Sequence, residues 1–182
     1  MRILGGWLLI HNIVIDGSSP PATLSIEASY RGINHYKKNN MVLSTSALKE
    51  LRKHLSFTQL RFHCNKQLVR TFHVTTVPNS TGEAVVQYFS RQTNAKPYAC
   101  GSFARLSGDN SILARGCANW GLDSGSYKVG KWGHDGMREL YEYPVFIQIL
   151  YHWAALPHLN RWECDDFNSA LSSGDFWKIY VR

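Results

Sequence analysis

Trp7–Ile15 reads WLLIHNIVI, a nearly continuous apolar run rich in β-branched residues. Such a run is consistent with a strand buried on both faces. The following DGSSPPAT, residues 16–23, breaks it with glycine, serine and two prolines, which mark a turn. Because Met1 and Arg2 precede the apolar run, a signal peptide is the competing reading. Gly5, Gly6, His11 and Asn12 interrupt its apolar core, and no small-residue cleavage site follows. The run is therefore read as a strand of the mature domain, and the expectation is part of a longer, secreted or extracellular protein.

Working outward, the next strong signal is helical. Ser44–Phe57, STSALKELRKHLSF, places Leu48, Leu51 and Leu55 on one face, with Ser44, Thr45 or Ser46 available to cap the first turn. Lys49 and Lys53 lie outward at i, i+4, a like-charge spacing that costs the helix slightly. After the helix, QLRFHC alternates with Leu60, Phe62 and Cys64 on one side, and RTFHVTT repeats the pattern with Phe72 and Val74. EAVVQYFS, residues 83–90, is read as a third strand. The chain is loop-like over 91–112 and again over 116–136. YPVFIQILYHWAAL, residues 143–156, is long enough for a bent strand or two short ones. GDFWKIYVR ends the chain as a strand with Phe176, Lys178 and Tyr180 on one face and Trp177, Ile179 and Val181 on the other.

The chain's 182 residues suit one domain, one that buries roughly two thirds of its unfolded surface. Hydrophobic residues make up 44% and charged residues 18%, the balance of a soluble globular protein, and no stretch approaches the ~18 apolar residues of a membrane helix. The net charge of +7 is uneven: residues 1–75 hold ten Lys and Arg against three Asp and Glu, while residues 76–182 hold ten of each. A basic half is either a solubilising surface or a site for an anionic partner such as sulfated polysaccharide. Lys49, Arg52 and Lys53 on the helix, with Arg61, Lys66 and Arg70 on the hairpin, would form that surface if the two pack together. A nucleic-acid site would interleave stacking aromatics with those charges, whereas Phe62 and Phe72 alternate toward the core.

Cys64, Cys100, Cys117 and Cys164 show no CxxC pair and no zinc-ligand spacing. Four cysteines allow three pairings, and the sequence selects none of them. The even count, together with the glycosylation acceptor Asn79-Ser80-Thr81, favours an oxidising, extracellular compartment.

Cys117–Gly136, CANWGLDSGSYKVGKWGHDG, is the richest stretch in potential contacts. Sugars are recognised by aromatic faces packed on the ring, with acids, amides and histidine bonding the hydroxyls. Trp120, Tyr127 and Trp132, with Asn119, Asp123, His134 and Asp135, supply both kinds of group on a glycine-rich frame. The competing reading is that the rings anchor a long loop and touch no ligand. Catalysis has little to stand on: there are eight histidines but no HExxH, no GxSxG and no phosphate-binding glycine loop. His63 beside Cys64, with His73 on the next strand, outlines a Cys–His pair, but a disulfide at Cys64 would remove the nucleophile.

Several of these pieces resemble the fibrinogen C-terminal-like domain family and its intelectin branch of lectins. Gly5-Gly6-Trp7 resembles the family's opening Gly-Gly-Gly-Trp-Thr strand. Residues 107–121, SGDNSILARGCANWG, resemble its calcium-site stretch. ECDDF followed by FWKIYVR resembles the intelectin ending. The resemblance implies a single α+β domain over 1–182: a twisted antiparallel sheet, one packed helix and long ordered loops in the C-terminal half. It also implies a non-catalytic, lectin-like module that binds a glycan or glycoprotein, with calcium as its candidate cofactor. An adhesion or assembly module without a small-ligand pocket is the other reading. Two departures stand out. Only Asp109 and Asn110 remain of the family's alternating calcium aspartates, and Cys117 has no partner a dozen residues downstream. Asp165 and Asp166 beside Cys164 are the remaining local acid cluster. Calcium needs six to eight oxygens, so these four residues are read either as metal ligands or as turn and surface chemistry.

Overall fold

In the computed structural model, which describes residues 3–4, 6–17 and 19–182, Ile3–Leu4 (β1) pairs antiparallel with Trp7–Val14 (β2). Gly5 of the Gly5-Gly6-Trp7 motif lies outside the described residues. The apolar run is buried on both faces, as its composition predicts. Leu8, Ile10 and Ile13 enter the main core, while Trp7 and Leu9 pack with Tyr180 on the other side.

Ser25–Glu27 (β3) and Asn40–Leu43 (β4) follow, and then the helix Thr45–Leu55 (α1). Ser44 caps α1 by accepting from the Ala47 N–H, and Ala47, Leu48 and Leu51 are its buried stripe; Leu55, expected on that stripe, is half exposed. Leu60–Lys66 (β5) and Arg70–Thr76 (β6) form the expected hairpin. The segment read as a third strand is instead a second helix, Ser80–Phe89 (α2). Asn79 caps it through Oδ1, which accepts from the Thr81 and Gly82 N–H groups. Val85, Val86 and Phe89 then fall at a helical spacing against the core. A Cβ on Gly82 would lie 1.9 Å from the Val77 carbonyl oxygen, so this first turn closes only on glycine.

Phe103–Arg105 (β7), the short helix Ile112–Arg115 (α3) and a two-stranded hairpin, Leu122–Asp123 (β8) with Ser126–Tyr127 (β9), lie in the long loop region. The apolar segment 143–156 resolves into two strands, Glu142–Ile147 (β10) and Tyr151–Leu156 (β11), followed by Arg161–Asp166 (β12) and Phe176–Val181 (β13).

The main sheet runs β3-β4-β2-β13-β5-β6-β7 with β1 added beside β2, and β10-β11-β12 form a second sheet. The last strand thus sits between the first long strand and the central hairpin. Pairing is antiparallel except for β3 with β4, which is parallel; the sheet is mixed where an antiparallel one was expected. One core cluster spans the sheets and both long helices. Two disulfides close it: Cys64–Cys164 ties β5 to β12, and Cys100–Cys117 closes the loop ahead of Trp120. Cross-links of this kind are compatible with an oxidising, extracellular setting. No helix among the described residues is long and apolar enough to cross a membrane.

Candidate functional site

The glycine- and aromatic-rich stretch divides into a buried anchor and an exposed rim. Trp120 and Trp132 are wholly buried. Trp120 stacks on Phe103 with centroids 4.9 Å apart, and Trp132 meets it edge-on at 5.0 Å. Their indole N–H groups donate to the Leu113 carbonyl and the Ser102 hydroxyl, each at 2.8 Å. With no face open to solvent, neither ring can pack on a sugar, which corrects the ligand-contact reading of both. Gly121 lets the chain turn between them: its φ is +83°, and a Cβ there would lie 2.2 Å from the Lys131 carbonyl oxygen.

Asp135 is a loop tie. Its carboxylate accepts from the Lys96 ammonium and from the Gly125 N–H, and Lys96 holds its pKa below the usual carboxylate range. Asp123 is similarly paired with Lys131 at 2.7 Å. Tyr127 and His134 remain, and both line a cavity of about 230 Å³.

The rest of that cavity comes from the second sheet and the chain after it. Tyr143 and Phe146 of β10, His152 of β11, Arg161 of β12 and Phe167 contribute the walls. Phe146 is the hub: Tyr127 lies 6.4 Å away edge-on, His134 5.3 Å, Tyr143 6.0 Å and His152 5.7 Å between ring centroids. Tyr143 sits at a register shift between β10 and β11 with φ of +51°. A left-handed, bulky residue is uncommon and tends to mark a site held by its surroundings. Burial, with Glu163 nearby, pushes the Tyr143 hydroxyl up to about 12, so it keeps its proton at neutral pH.

Beneath the rings lies a buried polar unit. Glu163 of β12 is 3% exposed and accepts from His152 Nδ1 at 2.8 Å and from Arg161 Nε at 3.0 Å. The Arg161 guanidinium lies over the Phe167 ring at 4.8 Å and the Tyr143 ring at 5.6 Å. A carboxylate this buried is tolerable only because both partners are in place. His152 Nε2 is closed off from solvent and has no hydrogen-bond partner, an exception to the rule that buried polar atoms are paired.

The acids expected to hold calcium lie elsewhere and are already occupied. Asp109 accepts from the His73 N–H at 2.6 Å and from Arg105 Nε at 2.7 Å, and also from Ser111. Asn110 accepts from the Thr71 N–H at 2.7 Å. Asp165 is fully buried, caps Ile112 and Leu113 at 3.0 and 2.6 Å, and pairs with Arg70. Asp166 faces the buried Lys66 ammonium at 2.7 Å; burial raises its carboxyl against the pull of that lysine. Each carboxylate thus has an arginine or lysine where a metal would stand, so these residues do not fit calcium. Among the described residues, no cluster of three or more His, Cys, Asp or Glu is placed to hold a metal ion.

The expected cationic surface is largely spent as well. Lys66 and Arg70 serve Asp166 and Asp165, Arg52 pairs with Glu83, and Arg61 bonds His73 and covers the Trp7 and Tyr180 rings. Only Lys49 and Lys53 of the six stay exposed. Cys64 is a disulfide sulfur, so no Cys–His pair exists with His63, which stacks on His73 at 3.9 Å. Asn79 is exposed at the α2 cap.

Sequence reasoning missed Tyr143, Phe146, His152, Arg161, Glu163 and Phe167. The available signals were His152 inside an apolar run and the charges of RWE, two apart and hence on one face of a strand. Comparison of the chain with protein-family models, curated proteins and solved structures gives no match in any of the three.

Proposed function

We propose that this chain is an extracellular, non-catalytic recognition module that binds carbohydrate in the aromatic cup walled by Tyr127, His134, Tyr143 and Phe146. The observation that carries the reading is the gathering of those rings around one concave site that Arg161 and Gln148 also line. Rings supply the apolar face a sugar packs on, and convergent polar atoms fix its orientation. At about 230 Å³ the cup falls below the ~300–1,000 Å³ of drug-sized pockets, which suits one sugar ring better than an extended chain. The fibrinogen-like resemblance, including its lectin branch, points the same way and stands on the sequence motifs. Glycosylation at Asn79 belongs with the same extracellular reading.

A second reading is an adhesion or assembly module, favoured by the apolar residues around the cup: Ile149 is 69% exposed, Leu150 49% and Phe167 46%. Glycan-array binding with competition by free monosaccharide separates the two. A lectin-like cup predicts binding that free sugar displaces. Self-association or protein binding indifferent to added sugar would favour the assembly reading instead.

A further inference from the structure

The tight turn that joins β10 to β11 is built against its own sequence. Leu150 N–H donates to the Ile147 carbonyl oxygen at 3.1 Å, which makes Ile149 the third residue of the turn, and its φ is +54°. A positive φ at that position calls for glycine or asparagine, and a β-branched side chain there is a genuine outlier. Burial does not compensate, because Ile149 is 69% exposed. Strain that no packing offsets points to a role outside the fold.

The strained turn sets an aliphatic side chain at the edge of the aromatic cup. Ile149 and Phe167 both line the cavity beside Tyr143 and Phe146, and both stay open to solvent, as does Leu150 next in the chain. The Phe167 ring meets His152 edge-on at 4.9 Å and lies under the Arg161 guanidinium at 4.8 Å. Arg161 is itself paired with Glu163, so it makes no net demand for an anion. The apolar surface thus continues from inside the cup onto an exposed collar. A cavity of about 230 Å³ suits one sugar ring, and a chain joined to that ring has the collar to lie on.

We infer that the cup's ligand is a glycolipid: one sugar ring fills the cup, and the hydrocarbon chain joined to it lies on Ile149, Leu150 and Phe167. This rests on the carbohydrate reading above and adds the aglycone to it. A methyl glycoside leaves the collar wet, whereas each methylene laid on apolar surface is worth up to roughly fourfold in affinity. A purely polar oligosaccharide gains nothing there. The strain at Ile149 is then the cost of presenting that surface.

Isothermal titration with the methyl and octyl glycosides of glucose, galactose and mannose, kept below micelle formation, tests this. Octyl tetraethylene glycol supplies the same chain on a sugar-free head. At least one octyl glycoside is expected to bind about tenfold or more tightly than its methyl counterpart, and the sugar-free amphiphile about tenfold or more weakly than that glycoside. Asparagine tolerates the left-handed turn, so Ile149→Asn should melt at or above the wild-type temperature. Its octyl-to-methyl affinity ratio should nevertheless fall by about threefold or more. Equal binding of octyl and methyl glycosides overturns the inference while the carbohydrate reading survives. An amphiphile that binds as tightly as the octyl glycoside overturns it too, since the collar then needs no sugar beside it. Self-association that Ile149→Asn abolishes, without any octyl preference, gives the collar to a second copy of the chain instead. If no glycoside binds, the carbohydrate reading fails and the inference with it.

Discussion

Trp132→Ala should remove stability and leave the ligand site's chemistry untouched. The ring is fully buried against Phe62, Phe89, Phe103 and Trp120 at centroid distances of 5.4, 6.1, 6.1 and 5.0 Å. Truncating a buried tryptophan to alanine costs about 3–5 kcal/mol, from lost transfer energy plus the cavity left behind. For a domain of this size each kcal/mol lowers the melting temperature by ~2–4 °C, so the expected drop is about 6–20 °C. Tyr127→Ala is the control. That ring is 43% exposed and touches Phe146 edge-on, so about 1 kcal/mol is the expected loss. Urea unfolding followed by circular dichroism reads both variants. A Trp132→Ala loss below about 1 kcal/mol, coupled to lost saccharide binding, would refute the division into anchor and rim.

Three further outcomes follow from the same geometry. The Cys64–Cys164 bridge spans 100 residues and Cys100–Cys117 spans 17. The chain-entropy estimate is ~4.7 kcal/mol for a 100-residue loop and ~3 for a 15-residue one. The double alanine variant at 64 and 164 should therefore unfold at lower urea than the one at 100 and 117, and the reverse order would contradict this. His11 is fully buried, and desolvation lowers its pKa to about 3, so it stays neutral in the fold. The unfolded chain takes up its proton as pH drops below ~6.5, and stability falls by about 1.4 kcal/mol per pH unit from there toward 3. His11→Leu should flatten that part of the stability–pH curve, and an unchanged slope would remove His11 from the account. Because Arg70, Lys66 and Arg105 already face the candidate calcium acids, calcium and a chelator should give the same melting temperature. A calcium-dependent rise would reopen that site.

Strands and helices whose signal is local were legible in the sequence. The WLLIHNIVI run, the Leu48–Leu51 stripe, the alternation through Phe62 and Cys64, and the two faces of the last strand all appear as expected. Residues 83–90 went wrong because Val85-Val86 and Tyr88-Phe89 suit either period, and the deciding signal was upstream. Asn79, read as a glycosylation acceptor, is also the cap that starts α2. The parallel pairing of β3 leaves no local trace at all. For the site, Tyr127 and His134 could be named from the glycine-rich stretch. Trp120 and Trp132 could not be told from ligand contacts, because a buried tryptophan and an exposed one look alike in sequence. His152, Arg161 and Glu163 come from two strands of a sheet the sequence does not pair, so their meeting is a product of tertiary structure.

The cup as a saccharide site is tested most directly by titrating wild type, Tyr127→Ala and His134→Phe with the monosaccharide that competes best on a glycan array. The account predicts saturable binding by wild type, and a loss of roughly tenfold or more in each variant at a melting temperature within a few degrees. Saccharide binding that both substitutions leave unchanged would contradict it.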